Sequence, residues 1–176
     1  KSFEVSYRSL VSERILNKFN NENEFFDALH NIKIEKSSLI NSGKLQSNIS
    51  RLKSEKNKVY SELVYSVDCL SQQDYQKNEV IYVGELIDLT MFFFATLFND
   101  LSSNFDTREQ FVYFSDKYKS IRNDLSHPAS SKILLEDCKL VLTFIRNLLP
   151  KMEDKHFWYV TKDVILDKIE ILVSNI

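Results

Sequence analysis

Glycine and proline are almost missing from this chain, with two of each in 176 residues. An all-β or doubly wound α/β protein needs many tight turns, and tight turns draw on both residues. Their scarcity excludes those classes and points to long helices with few connections. With only Gly43 and Gly84 present, no glycine-rich phosphate loop exists, which rules out a P-loop or a Rossmann cofactor site within the chain. Cysteine is equally scarce. Cys69 and Cys138 stand far apart in apolar helical contexts, and buried small hydrophobes are expected rather than a disulfide or a metal pair. No excess of one charge sign exists either. A net charge of −2 gives no global basic field, so contact with nucleic acid has to come from a local patch. The longest apolar run, Leu89 to Phe98, is interrupted by Thr90 and Thr96 and is too short to span a bilayer. No signal-peptide pattern opens the chain. No membrane association is expected, and the cytoplasm is the expected compartment. A chain that opens on Lys1 rather than Met is expected to be a trimmed product or a piece of a longer protein.

What is present is a soluble globular balance, 43% hydrophobic and 27% charged, in a length sufficient for a real core. Phe3, Tyr7, Leu10, Val11, Ile15 and Phe19 recur at helical spacing and predict a first helix. After a polar break at Asn20 to Asn23, Phe25, Phe26, Leu29 and Ile32 predict a short second one, and Lys36 to Gly43 reads as a connection. Leu45, Ile49, Leu52, Val59, Leu63 and Leu70 form a heptad-like seam, with Lys56 and Ser66 as polar seam positions. One long third helix is expected there. Val80 to Phe105 is apolar nearly all round, as a central buried helix is. Asp106, with Glu109 three residues on, reads as the cap of a helix carrying Phe111 to Ile121. Leu134 to Leu149, stopped by Pro150, and Phe157 to Val173 complete the set. A soft boundary at residues 71–78 divides an N-terminal helical region, 1–73, from a bundle, 74–176, unless the two form one domain.

Chemistry concentrates in Arg122-Asn123-Asp124-Leu125-Ser126-His127, at the boundary that Pro128 marks. Arginine holds a phosphate through its planar fork, and histidine exchanges a proton near neutral pH. Metal-free scission of RNA needs a base for the ribose 2′-hydroxyl, an acid for the leaving 5′-oxygen and a cation for the charge of the transition state. One Arg–His pair supplies the cation and one proton carrier. Two copies across a two-fold axis supply the second carrier. The reading that assigns no chemistry makes Arg122 a cation answering its helix dipole and His127 a loop histidine bonded to a carbonyl.

Arg, a polar residue, and His five positions after the Arg, set between two helices, resembles the signature of HEPN domains; Arg122, Asn123 and His127 match it, and Ser130 to Leu149 is similar to the last core helix of that family. The resemblance covers roughly Val80 to Leu149. It implies an all-α fold: a HEPN-like helical bundle, here with an additional long N-terminal helical hairpin or arm. It also implies homodimerisation and metal-independent endoribonuclease activity in the active members, many of which serve in toxin–antitoxin or antiviral defence. Under it, His127 is the general acid/base and Arg122 orients the scissile phosphate. Asn123 bonds the substrate or positions Arg122, and Glu85 or Asp88 supplies an acidic support. The Tyr that stands two residues after the His in one toxin subgroup is Ala129 here, which argues against that subgroup.

The cations Lys33, Lys36, Lys44, Arg51, Lys53, Lys56 and Lys58 outnumber Glu35 and Glu55 in their stretch. Lys53, Lys56 and Lys58 are candidate phosphate contacts, although the solvated face of a long helix is the commoner use of such a run. The aromatics Phe92, Phe93, Phe94, Phe98, Phe111, Tyr113 and Phe114 read as core or dimer interface before base stacking. His30 and His156 have no metal-ligand partner at the right spacing, and no metal or cofactor is expected. RNA is the expected substrate, with a homodimer mate and an antitoxin or fused regulatory domain as further partners. The competing reading is a non-catalytic dimerisation or nucleotide- or RNA-binding module of a larger assembly.

Overall fold

Helix formers with almost no glycine or proline produce ten α-helices and no strand among the described residues. The computed structural model describes residues 2–32, 42–68, 80–126, 134–153 and 161–175. The helices are α1 Ser2–Lys18, α2 Glu22–His30, α3 Ser42–Ser54, α4 Lys56–Asp68, α5 Val83–Phe92, α6 Phe94–Leu97, α7 Ser102–Phe105, α8 Arg108–Ser126, α9 Leu135–Leu148 and α10 Lys162–Ser174. No described helix is long and apolar enough to cross a membrane.

Helix α1 packs on α4 and α5, α5 packs on α8, and α8 lies along α9, with α10 against α9. The N-terminal helices, expected as a hairpin or arm, include α1, which packs on the helices that follow. Phe3 of α1 stacks on Tyr7 and meets Tyr118 of α8 and Phe144 of α9, ring centroids 5.6 and 6.2 Å away. One apolar cluster runs from Phe3 to Ile169. The seam of Leu45, Ile49, Leu52, Val59 and Leu63 is buried as the heptad pattern implies.

Three elements depart from the sequence expectation. The long third helix is two, broken at Glu55. The ladder bonds continue on both sides, Glu55 N to Arg51 O and Val59 N to Glu55 O, but Ser54 Oγ also donates to Arg51 O at 2.8 Å. A hydroxyl sharing a ladder carbonyl bends a helix. Ser42 and Gly43, expected in the connection, already belong to α3. The apolar run from Val80 to Phe105 is split into α5, α6, a short 3-10 turn over Asn99–Leu101 and α7. Consecutive phenylalanines cannot share one helical face. The break at Phe93 sends Phe93 towards Phe19 and Phe25, while Phe94 meets Phe111. The cap of α8 is Thr107, whose Oγ1 accepts from Gln110 N at 3.2 Å, not Asp106. Asp106 instead takes φ 55°, and Thr107 N donates to Phe105 O at 2.5 Å, a strained γ-turn that reverses the chain into α8.

The expected aromatic core holds for Phe93, Phe94, Phe98 and Phe111, whereas Tyr113 is exposed. Cys138 is half-buried rather than buried. Cys69, Leu70, His127, Ala129, His156 and Trp158 lie outside the described residues.

One buried cluster fixes the lead-in to α5. Arg8 Nη1 donates to Glu62 Oε1 at 2.7 Å and to Ile81 O at 2.6 Å, while Glu62 Oε2 accepts from Val80 N and Ile81 N. Arg51 reaches the same segment from α3, donating to Val80 O at 2.6 Å. The start of α5 is thereby tied to α1, α3 and α4 at once.

Candidate functional site

Three helix faces converge beside that anchored segment. Lys44, Asn48 and Arg51 stand at i, i+4 and i+7 on α3 and share one face. Glu85 and Asp88 stand at i and i+3 on α5, and Lys119, Arg122 and Asn123 at i, i+3 and i+4 near the end of α8. Buried carboxylates join the faces. Both oxygens of Glu85 accept from the Arg51 guanidinium, and Oε2 also accepts from Tyr82 N at 2.8 Å, which caps α5. Asp88 Oδ2 accepts from Asn48 Nδ2 at 2.5 Å and Oδ1 from Lys119 Nζ at 3.0 Å. Hydrogen bonding to Glu85 raises the Arg51 pKa against the opposing effect of burial.

Between the faces lies a cavity of about 300 Å³. Lys44 and Asn48 line it from α3, Tyr82 to Glu85 from the start of α5, and Lys119, Arg122 and Asn123 from α8. A Cβ placed on Gly84 would meet nothing within 4 Å, so that position has open space around it. Arg122 is 44% exposed, and its Nε donates to Glu4 Oε1 at 3.2 Å. The same oxygen accepts from Tyr118 OH at 2.8 Å. Burial raises the Tyr118 pKa, and the charge and hydrogen bond of Glu4 raise it further.

The predicted site residues separate as follows. Arg122 and Asn123 reach the cavity, and Glu85 forms part of its wall. Glu85 and Asp88, expected as acidic supports, answer Arg51, Tyr82 N, Asn48 and Lys119, while Glu4 accepts from Arg122 Nε. Lys53, Lys56 and Lys58 do not line the cavity. Lys53 Nζ lies 3.1 Å from His30 Nδ1, Lys56 donates to Asn23 and sits over the Phe26 ring, and Lys58 pairs with Glu55 in its own helix. The basic run therefore divides, with Lys44 and Arg51 turned to the site and the lysines after them turned away. His127 lies outside the described residues, immediately after the end of α8 at Ser126.

Sequence reasoning missed Glu4, Asn48, Tyr82 and Lys119. A periodic polar stripe signalled Asn48, and the i, i+3 spacing to Arg122 signalled Lys119. Glu4 is 118 residues from its partner, beyond the reach of local pattern. Among the described residues, no three metal-ligating side chains cluster. No family model, curated protein or solved structure matches this chain, so the functional reading rests on its own residues.

Proposed function

We propose that this chain is a HEPN-like, metal-independent endoribonuclease that acts as a homodimer, in the manner of a toxin or defence effector. The observation that carries this reading is the position of Arg122 and Asn123 on the wall of a cavity that also holds Lys44 and Lys119. Arg122 holds the scissile phosphate and stabilises its added charge. Asn123, one residue along the same wall, bonds a substrate oxygen or steadies Arg122. His127 takes the proton of the ribose 2′-hydroxyl, whose oxygen attacks the phosphorus. The 5′-oxygen leaves with a proton from the second copy's histidine, giving a cyclic phosphate and a free 5′-hydroxyl.

The test is cleavage of a labelled RNA in EDTA. Arg122→Ala and His127→Ala each abolish it with helical content unchanged. Gly84→Glu supplies a variant clear of the motif: it places an anion in the cavity where a side chain has room, in a first helical turn that favours acids. Cleavage surviving all three substitutions, or a strict metal requirement, refutes the proposal.

The Glu4 contact favours a second reading, a non-catalytic module in which Arg122 ties α8 to α1. Under that reading Arg122→Ala lowers stability, while no variant alters RNA integrity in cells. Growth arrest on expression that disappears with His127→Ala decides for the nuclease.

A further inference from the structure

Among the described tyrosines, Tyr7 and Tyr118 are buried, whereas Tyr82 is 59% exposed, more than Tyr65 or Tyr113, and borders the cavity. Its ring is not loose. The Arg51 guanidinium lies 4.4 Å from the ring centroid and is itself locked by Glu85 and by Val80 O. With one ring face covered by that cation, the exposure belongs to the other face and the edge. The backbone of Tyr82 is fixed as well, since its N–H caps α5 through Glu85. A rigid, half-covered aromatic at the rim of a cavity bearing Lys44, Lys119 and Arg122 is what an unpaired base next to a bound phosphate requires. Preorganisation keeps the ordering cost of binding low.

We infer that Tyr82 is a base-stacking platform, and that the cavity takes single-stranded RNA: one unpaired base lies on the open face of Tyr82, completing an Arg51–Tyr82–base stack, with its adjoining phosphate among the cavity cations. This rests on the ribonuclease reading of the same cavity and names its substrate class. Duplex RNA keeps its bases stacked inside and cannot use the ring.

The experiment measures anisotropy of a short fluorescein-labelled single-stranded RNA with the full chain carrying His127→Ala, so that binding is read without cleavage. Tyr82→Ala raises Kd about 5- to 150-fold, the range of one lost base stack. Tyr82→Phe and Tyr82→Trp hold the parent affinity, and a urea midpoint on each variant confirms the fold. The same strand in a duplex, or carrying abasic sites, binds weakly and is indifferent to Tyr82. Unchanged affinity of Tyr82→Ala, equal binding of the duplex, or no binding of single strands at all overturns the inference. A loss shared by Tyr82→Phe also overturns it, because that outcome assigns the contact to the hydroxyl. Tight, Tyr82-dependent binding by a chain that never cleaves RNA would remove the nuclease reading and leave the platform standing.

Discussion

Replacing Glu62 by glutamine removes one charge and no volume from the buried cluster that holds the start of α5. Side-chain exposure there is 2% for Arg8 and 8% for Glu62, so solvent screens the pair little. Both carboxylate oxygens accept: Oε1 from Arg8, and Oε2 from Val80 N and Ile81 N at 2.8 and 2.7 Å. An amide has one acceptor oxygen. Whichever way it turns, its NH2 group faces either the guanidinium or the two backbone donors. Breaking a buried ion pair from one side costs about 3–5 kcal/mol. For a chain of this length each kcal/mol lowers Tm by about 2–4 °C, so Glu62→Gln lowers it by about 6–20 °C. Urea unfolding followed by circular dichroism measures the first quantity. Native-state hydrogen exchange at the Val80 and Ile81 amides measures whether the lead-in to α5 loosens with it. A loss under about 1 kcal/mol, the range of exposed pairs, with unchanged exchange at those amides, would show that Glu62 does not hold this segment.

Two further outcomes follow from groups around the site. Burial raises the pKa of Tyr7 and, with Glu4 adding to it, of Tyr118 above the ordinary value near 10. A neutral phenol favoured by folding stabilises the native state fully below about pH 10 and loses that contribution as pH rises past it. The urea midpoint therefore falls above about pH 10, and Tyr7 and Tyr118 ionise only with unfolding; their ionisation near pH 10 in a folded chain would refute this. Glu4→Gln, at a contact only 20% exposed on the glutamate side, removes one anionic partner of the Arg122 guanidinium. Under the proposed ribonuclease reading, cleavage kcat then falls on the order of tenfold to hundredfold with KM not raised, whereas a raised KM at constant kcat would place Glu4 in substrate binding instead.

Much of the fold could be read from residue spacing, and the failures have local causes. Phe3, Tyr7, Leu10, Val11 and Ile15 announced α1, and all are buried. The polar break after it is a working cap: Asn21 accepts from Glu24 N, and Asn20 N donates to the Glu24 carboxylate, which holds the pKa of Glu24 down. Periodicity misled where side chains were too bulky for it. The run from Phe92 to Phe94 satisfies a helical pattern in hydropathy, but its rings are drawn to different partners, Phe25 for Phe93 and Phe111 for Phe94. Composition says nothing of that division. At the candidate site, Arg122 and Asn123 could be singled out because an arginine followed by a polar residue at a helix end is a local pattern, and both line the cavity. Glu4 and Tyr82 could not, because an exposed tyrosine and a lone glutamate acquire meaning only from what the fold sets beside them.

The long helix α8 explains how a site can be carried without being part of the core. Phe111, Val112, Ser115, Tyr118 and Ile121 are buried, and Phe111 and Tyr118 are locked against Phe144 with centroids 5.8 and 5.3 Å apart. Lys119, Arg122 and Asn123 turn the other way, into the cavity. A rigid helix anchored on one face holds the opposite face in register. Substitutions at Tyr82, Gly84 or Asn123 therefore test function with little effect on folding. Glu85 and Asp88 are different in kind. Each is almost fully buried and answers cations from neighbouring helices, so removing either takes a buried anion from Arg51 or Lys119 and loosens the walls of the cavity. Loss of activity at those two positions would follow whether or not they support the chemistry. The variants that discriminate between the two readings lie on the open side of the cavity, where a change of charge or ring alters the cavity before it reaches the core.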